Sequence, residues 1–345
     1  MNEEKKIKVA ITHGDINGVG YEVILKTFGD SRMFDFCTPI VYGSTKVASY
    51  HKKLLTSMPQ EMIFTSVRDA AEAQDRKFNF INLTPDEIKI DLGKSTEVAG
   101  RLSRESLNRA CADLKAGKVD VLVTAPINKR NIQAPDFDFP GHTEYLSHQF
   151  GSSSLMMMVC GRIRIGIMTN HFALKDVPAA LTHDLLHNKM ILMNDSLKRD
   201  FGITRPKIAV LALDPHAGDD GVIGDFDKRV IRPVIDEVQG KGVLAYGPFP
   251  SDGFFGSSEF NKFDGVLALY HDQGLIPFKL MSFTEGVNYT AGLPYIRTSP
   301  AHGTGYDIAG KDQANEQSFR SAVYLACRIL QNRKEYDELT ANPLK

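Results

Sequence analysis

Short apolar runs alternate with amphipathic stretches along the chain, the pattern of strands joined by helices in an α/β protein. Ile7 to Ile11 reads as a first strand, followed by the glycine-rich turn Thr12 to Gly20 and a helix over Tyr21 to Thr27. Pro39 to Tyr42 is the next short strand. Periodicity weakens between Ser57 and Lys89, with Asn82 and Asp86 in turn positions. Small or apolar residues at 98, 102, 107, 110, 111 and 114 form a stripe that predicts a helix over 96–117, stopped by Gly117. Asp120 to Pro126 is a buried strand. The Pro-Gly turn at 140–141 leads into a helix that Thr143 is placed to cap. Leu155 to Met168 predicts two neighbouring strands, its methionine run filling core. A long helix begins near Pro178. Strands at Pro206 to Leu213 and Phe263 to Leu269 follow, and the latter releases His271, Asp272 and Gln273 into a polar loop. A last helix spans about Asn315 to Asn332.

At 345 residues the chain exceeds what one hydrophobic core usually serves, which predicts two domains. The division expected is 1–134 with 282–345, and 135–281 as a second α/β domain carrying the histidines discussed below. A formal charge of -1 and the absence of lysine- or arginine-rich blocks argue against a nucleic-acid partner. No 18-residue apolar run exists to span a membrane. The four cysteines are far apart without a Cys-x-x-Cys pair, and the first strand leaves no room for a secretory signal. Both features read as reduced thiols in a cytoplasmic protein.

The chemistry concentrates where strands end. His171, His216 and His271 each follow an apolar run, the position where α/β sheets present ligands. Three imidazoles from successive strands suit one divalent metal with positions open for substrate; they lean toward Zn2+, with Mg2+, Mn2+ or Co2+ as alternatives. His183 and His187 are four apart, but no glutamate follows the first, so that helix reads as solvent-facing or as an interface. Asp15, in the first glycine turn, suits a metal, a hydroxyl or an ammonium, against a purely structural turn. Lys129 reads either as a solvated loop charge or as a partner for an anion. His142 and Thr143, at a helix start, suit a phosphate or carboxylate. Lys279, Asn288 and Arg297 form a polar series fit for a small phosphorylated or carboxylated substrate. Asp252 stands in a glycine-rich loop. Backbone glycines at 303, 305 and 310, with Asp307, suit the adenosine half of a nucleotide. These residues alone leave hydrolysis, aldol cleavage and oxidation open.

Gly14-Asp15, Gly141-His-Thr-Glu144, Asn170-His-Phe-Ala-Leu-Lys-Asp-Val-Pro178 and Asp214-Pro-His-Ala-Gly218 resemble the 4-hydroxythreonine-4-phosphate dehydrogenase family. So do Tyr270-His-Asp-Gln-Gly274, Arg297-Thr-Ser-Pro300 and His302-Gly-Thr-Gly-Tyr-Asp-Ile-Ala-Gly-Lys311. The resemblance runs from the first strand to the last helix. It implies two α/β/α domains with a central cleft, similar to isocitrate and isopropylmalate dehydrogenases. It implies His171, His216 and His271 as metal ligands in a site shared between the subunits of a homodimer. His142, Thr143, Lys279, Asn288 and Arg297 are its implied substrate contacts, and His302, Gly303 and Asp307 its cofactor contacts. The implied reaction is NAD+- or NADP+-dependent oxidation and decarboxylation of 4-phosphooxy-L-threonine, giving 3-amino-2-oxopropyl phosphate for pyridoxal phosphate synthesis. Asp252 or a loop lysine is the candidate proton carrier. The chain departs from the family pattern in three places. Ile16-Asn17 stands where Pro-Ala is usual, Tyr21 where proline is common, and Gly305-Tyr306 where Ala-Phe is usual. These departures keep in view a relative acting on erythronate or threonate 4-phosphate. A metal-dependent phosphate-ester hydrolase or lyase, needing no nicotinamide, is the reading of a different class.

Overall fold

The computed structural model describes residues 6–342, apart from 60, 84–87, 136 and 283, so Asp86 lies outside the described residues. The chain divides into two compact units, Met1–Leu146 with Tyr295–Leu330, and Ser147–Pro294 with Gln331–Lys345.

In chain order the first unit contributes β1 (Ile7–Thr12), β2 (Cys37–Gly43), β3 (Phe64–Val67), β4 (Phe78–Asn82), β5 (Val121–Thr124) and the last strand, β12 (Arg297–Pro300). Their order is β3-β4-β2-β1-β5-β12, with parallel pairing throughout. Parallel strands need crossover helices and are buried on both faces, which explains the unbroken apolar runs. Every residue of β2, β5 and β12 is buried. The helices Gly20–Gly29, Thr45–Leu54 and Glu97–Lys115 lie between strands in the chain. Thr96 caps the last by accepting from the Ala99 amide, and Gly117, at φ +67°, ends it. Phe28, Phe34, Phe64, Phe78 and Phe80 pack ring against ring at one side of the sheet. Phe28, Phe78 and Phe80 are fully buried, which stabilises by about 1.5–3 kcal/mol for each. From β1 the chain goes to β2 on one side, while β5 pairs on the other. The ends of β1 and β5 are therefore a switch point, where open α/β sheets bind ligands.

The second unit contains β6 (Leu155–Cys160), β7 (Ile163–Ile167), β8 (Lys207–Leu211), β9 (Leu244–Phe249), β10 (Gly265–Ala268) and β11 (Val287–Ala291). Their order is β11-β6-β7-β10-β8-β9, antiparallel from β11 to β7 and parallel from β7 to β9. The methionine run lies in β6 and is buried. Two expected elements change. The long helix foreseen from Pro178 is two helices, Val177–Ala180 and His183–Arg199, because Thr182 breaks the first and caps the second through the Leu185 amide. His271, Asp272 and Gln273 form the first turn of a helix, His271–Ser282, rather than a loop. Gly274 permits that packing: a Cβ there would lie 2.4 Å from Ile167 Cδ1 and 2.9 Å from Ala268 Cβ. His183 pairs with Glu237 on the surface, as expected for a solvent-facing helix. Among the described residues no helix is long and apolar enough to cross a membrane.

Candidate active site

The β1 and β5 ends of the first unit meet through one glycine. Gly14 has φ +67°, and a Cβ there would lie 2.2 Å from the Pro126 carbonyl, so the turn can approach β5 only without a side chain. The Asp15 amide donates to that carbonyl at 2.9 Å. Asp15 itself is fully buried. Its Oδ1 accepts from the Asn17 amide, and its Oδ2 accepts from Asn131 Nδ2 at 2.8 Å and the Tyr306 hydroxyl at 2.7 Å. With three donors in place, the carboxylate is engaged by the protein itself.

Arg297 opens β12 and is only 2% exposed. Its Nε and Nη2 donate to Thr124 Oγ1 at the end of β5, and burial pulls its pKa down to about 9, against the attraction of Glu144. It stays protonated at neutral pH. His142, first residue of the helix His142–Phe150, has an Nε2 atom buried without a hydrogen-bond partner among the described residues. Burial holds its pKa well below the ordinary value, and the charges of Arg297 and Lys129 push it further down. A neutral imidazole beside two cations, with an unanswered ring nitrogen, is a place where an anion relieves the local field. Thr143 is buried within the first turn of that helix and is not its cap, because the helix begins one residue earlier. Lys129 is exposed, with its charge close enough to bear on His142.

The segment after β12 is irregular from 301 to 316. Its Thr304 carbonyl accepts from the Val19 amide at 2.9 Å, and Tyr306 reaches Asp15. His302, Gly303 and Asp307 remain exposed, with His302 Nδ1 donating to the Gly303 carbonyl.

In the second unit β7, β10 and β8 are adjacent and parallel, and each is followed by one of the three histidines. His171 and His271 come together with ring centroids 5.7 Å apart. His271 Nδ1 lies 2.7 Å from Asp272 Oδ1, an arrangement that fixes the tautomer of a ligating imidazole. Gln273 ties these strand ends together. It accepts from the Leu269 amide and donates to the Ala212 carbonyl and to Ser251 Oγ, one residue before the exposed Asp252. His216 is exposed at φ 54°, within a run of left-handed backbone from His216 to Asp220. Four of those five residues are not glycine, and each stores strain of the order of 1–3 kcal/mol. Among the described residues no group of three or more His, Cys, Asp or Glu side chains is placed to hold a metal ion. The structure brings together two of the three histidines. Lys279 is exposed on the helix behind His271. Asn288, on β11, has an Oδ1 atom buried without a partner among the described residues.

Sequence reasoning had no signal for Thr124 beneath Arg297 or for Tyr306 beneath Asp15. Both pairings join residues more than 170 positions apart.

The family model described as "Pyridoxal phosphate biosynthetic protein PdxA" matches residues 35–326. A 4-hydroxythreonine-4-phosphate dehydrogenase of Bacteroides thetaiotaomicron is 48% identical over 345 residues, covering 99% of this chain and 94% of that one. The crystal structure of the Klebsiella pneumoniae 4-hydroxythreonine-4-phosphate dehydrogenase superposes with a TM-score of 0.82 at 32% identity, covering 95% of this chain and 100% of that one. An isocitrate dehydrogenase from Methylococcus capsulatus, with a TM-score of 0.50 at 11% identity, covers 97% of this chain and 89% of its own and shares the fold alone.

Proposed function

Because the chain belongs to the PdxA family of 4-hydroxythreonine-4-phosphate dehydrogenases, we propose that it oxidises and decarboxylates 4-phosphooxy-L-threonine with NAD(P)+ for pyridoxal phosphate synthesis. Hydride leaves C3 of the substrate for the nicotinamide, and its C3 hydroxyl loses a proton. The β-keto acid that results releases carbon dioxide, and a proton returns to the carbon left behind, giving 3-amino-2-oxopropyl phosphate.

The observation that carries this reading is the buried Arg297 guanidinium beside the neutral, unanswered His142. A dianionic phosphate answers the His142 nitrogen and suits the positive charge beside it, and Arg297 is held by Thr124 in a fixed plane. Thr143 and Lys279 extend the phosphate and carboxylate contacts in this reading. Asn288 is the remaining substrate contact in this reading, its orphaned amide oxygen an acceptor for a donor group on the substrate. His302, Gly303 and Asp307 take the cofactor, as NAD+ or NADP+. Asp252, carried next to Gln273's partner Ser251, is the proton carrier we assign.

The donor chemistry of His171, His216 and His271 fits a divalent ion, since three imidazoles follow three neighbouring parallel strands and two are already in contact. Bound there, an ion such as Zn2+ supplies Lewis-acid chemistry for the alcohol oxidation and for the decarboxylation. The strained, exposed run that carries His216 is the segment we expect to adjust on binding. Large exposed apolar residues flank all three histidines in sequence: Phe172 and Leu174, Val222 and Ile223, Ile276 and Leu280. Apolar surface of this kind calls for a cover, and a second copy of the chain is the cover we propose. Four unpaired cysteines support a cytoplasmic setting.

Reduced-nicotinamide absorbance with added divalent metal tests the whole reading. Turnover of 4-phosphooxy-L-threonine, with erythronate and threonate phosphates inert, is the expected result. Turnover of the hydroxy-acid phosphates alone would reassign the substrate, and release of inorganic phosphate or of a cleaved product in a parallel reaction without nicotinamide would reassign the reaction class.

A further inference from the structure

Two of the places where the sequence departs from the family pattern meet around one buried carboxylate. Asp15 holds the Tyr306 hydroxyl at 2.7 Å, and Asn17 binds Asp15 through its amide while its side chain reaches the other way. Asn17 Nδ2 donates to the Lys94 carbonyl and Thr96 Oγ1, and its Oδ1 accepts from the Asp91 amide. Its carbonyl accepts from the Gly93 amide. Gly93 closes the ring of contacts. A Cβ there would lie 2.8 Å from the Tyr306 carbonyl, so the 91–96 segment packs directly on the backbone of the 302–310 loop. The Asn131 amide completes the shell around Asp15.

Four segments of the first unit thus converge: the 14–18 turn, the 91–96 segment, the 128–131 turn and the 302–310 loop. The loop has a backbone anchor, Val19 to Thr304, and a side-chain anchor, Tyr306 to Asp15. Gly305, at φ +55°, lies between them, and its missing Cβ would sit 3.0 Å from Val19 Cγ1. With these inward anchors fixed, His302, Gly303 and Asp307 stay on the exposed side. Burial and the Asp15 carboxylate raise the Tyr306 pKa to about 12, so the hydroxyl remains a donor across the working pH range.

We infer that Tyr306 is a positioning residue, a latch that holds the 302–310 loop against Asp15 in the conformation that receives the nicotinamide cofactor. The inference rests on the cofactor assignment of the proposed function. Tyr306 does not touch the cofactor in this account; it lowers the cost of ordering the loop on binding, which appears as affinity rather than rate.

The test compares the full-length protein with its Tyr306→Phe and Asn17→Ala variants. Tyr306→Phe keeps the ring and removes the hydroxyl with its contacts to Asp15, Asn128 and Ser95. Dissociation constants for NADH and NADPH are read by fluorescence without substrate, alongside steady-state kinetics and melting temperature. Tyr306→Phe is expected to weaken binding of the preferred reduced cofactor, and raise the KM of its oxidised form, by about tenfold. The kcat and the KM for 4-phosphooxy-L-threonine are expected to stay within about twofold. Asn17→Ala, which loosens the neighbouring segment, is expected to shift the same two cofactor constants in the same direction. Wild-type binding that is unchanged in Tyr306→Phe overturns the latch alone. A parallel rise in both KM values with a fallen melting temperature also overturns it, in favour of general loosening. Failure of the wild-type protein to bind either nucleotide overturns the cofactor assignment and the latch together, so the two failures are told apart at the first titration.

Discussion

Arg297 donates through both Nε and Nη2 to a single oxygen, Thr124 Oγ1, at 3.1 and 2.7 Å. One hydroxyl on the neighbouring strand therefore sets the plane of a buried guanidinium. Thr124→Val keeps the shape and removes the acceptor. We expect it to raise the KM for the phosphorylated substrate by about tenfold and to lower the melting temperature, since both hydrogen bonds from a buried charged group are lost. Arg297→Lys loses the fork as well as the plane, and is expected to lower kcat/KM by about a hundredfold. Steady-state rates at saturating nicotinamide check both. Equal kinetics for Thr124→Val and wild type would remove Thr124 from any positioning role.

The histidines of the first unit predict an acid-sensitive fold. Tyr21 is stacked between His13 and His51, with centroids 5.3 Å away on each side, and all three side chains are buried. His51 Nε2 donates to the Ile16 carbonyl, and His13 Nδ1 is buried without a partner among the described residues. Burial lowers both pKa values from 6.5 to about 4. Above pH 6.5 both rings are neutral in the folded and unfolded chain. Between 6.5 and 4 the unfolded chain binds protons that the folded one refuses, so stability falls as pH falls through that window. The loss is on the order of 3 kcal/mol for each ring once pH is below 4. Urea midpoints between pH 7.5 and 4.5 should drop steeply for the wild type and less steeply for His51→Gln. Parallel slopes would mean that the carboxylates alone set the acid limit.

The sequence made the apolar parallel strands legible and the half-exposed or polar ones obscure. β1, β2, β5, β8 and β10 are apolar runs because parallel strands are covered on both faces, and each was foreseen within a few residues. β3 is half-exposed, and with β4 it fell in the stretch where periodicity failed. β12, Arg-Thr-Ser-Pro, has no apolar signature; its burial is made possible by hydrogen bonds such as Arg297 to Thr124 and Thr298 to the Ala322 carbonyl. Candidate residues that directly follow strands were legible for the same reason that the strands were. Residues that act through distant partners were not. Nothing local in Tyr306 announces Asp15, 291 positions away.

His216 offers the sharpest separation of a ligand from a structural residue. It is exposed, and among the described residues no hydrogen bond depends on its ring. We expect His216→Ala to leave the metal-free protein folded, with its stability changed by about 1 kcal/mol, because the ring is exposed and only the left-handed backbone it occupies is sensitive to the change. The same substitution should remove most of the bound divalent metal and most of the activity. Elemental analysis after dialysis against trace metal gives the content, and the rate assay gives the activity. A variant that retains both in full would end the ligand assignment for this residue.

Gly274 links packing to the site more directly. Its absent side chain lets the helix His271–Ser282 rest on the ends of β7 and β10, and His271 is the first residue of that helix. In Gly274→Ala the new methyl meets Ile167 Cδ1 at 2.4 Å, Ala268 Cβ at 2.9 Å and Ile165 Cγ2 at 3.0 Å. Overpacking of this size costs about 1–3 kcal/mol, and the helix start is the part able to move away. Metal affinity should therefore fall further than in a control of equal stability loss elsewhere in the unit. Ile167→Val removes the Cδ1 atom that makes the closest contact. The double variant Gly274→Ala with Ile167→Val is expected to recover part of both the stability and the metal affinity. Recovery of stability without recovery of metal binding would show that the helix start does not carry His271 into its working position.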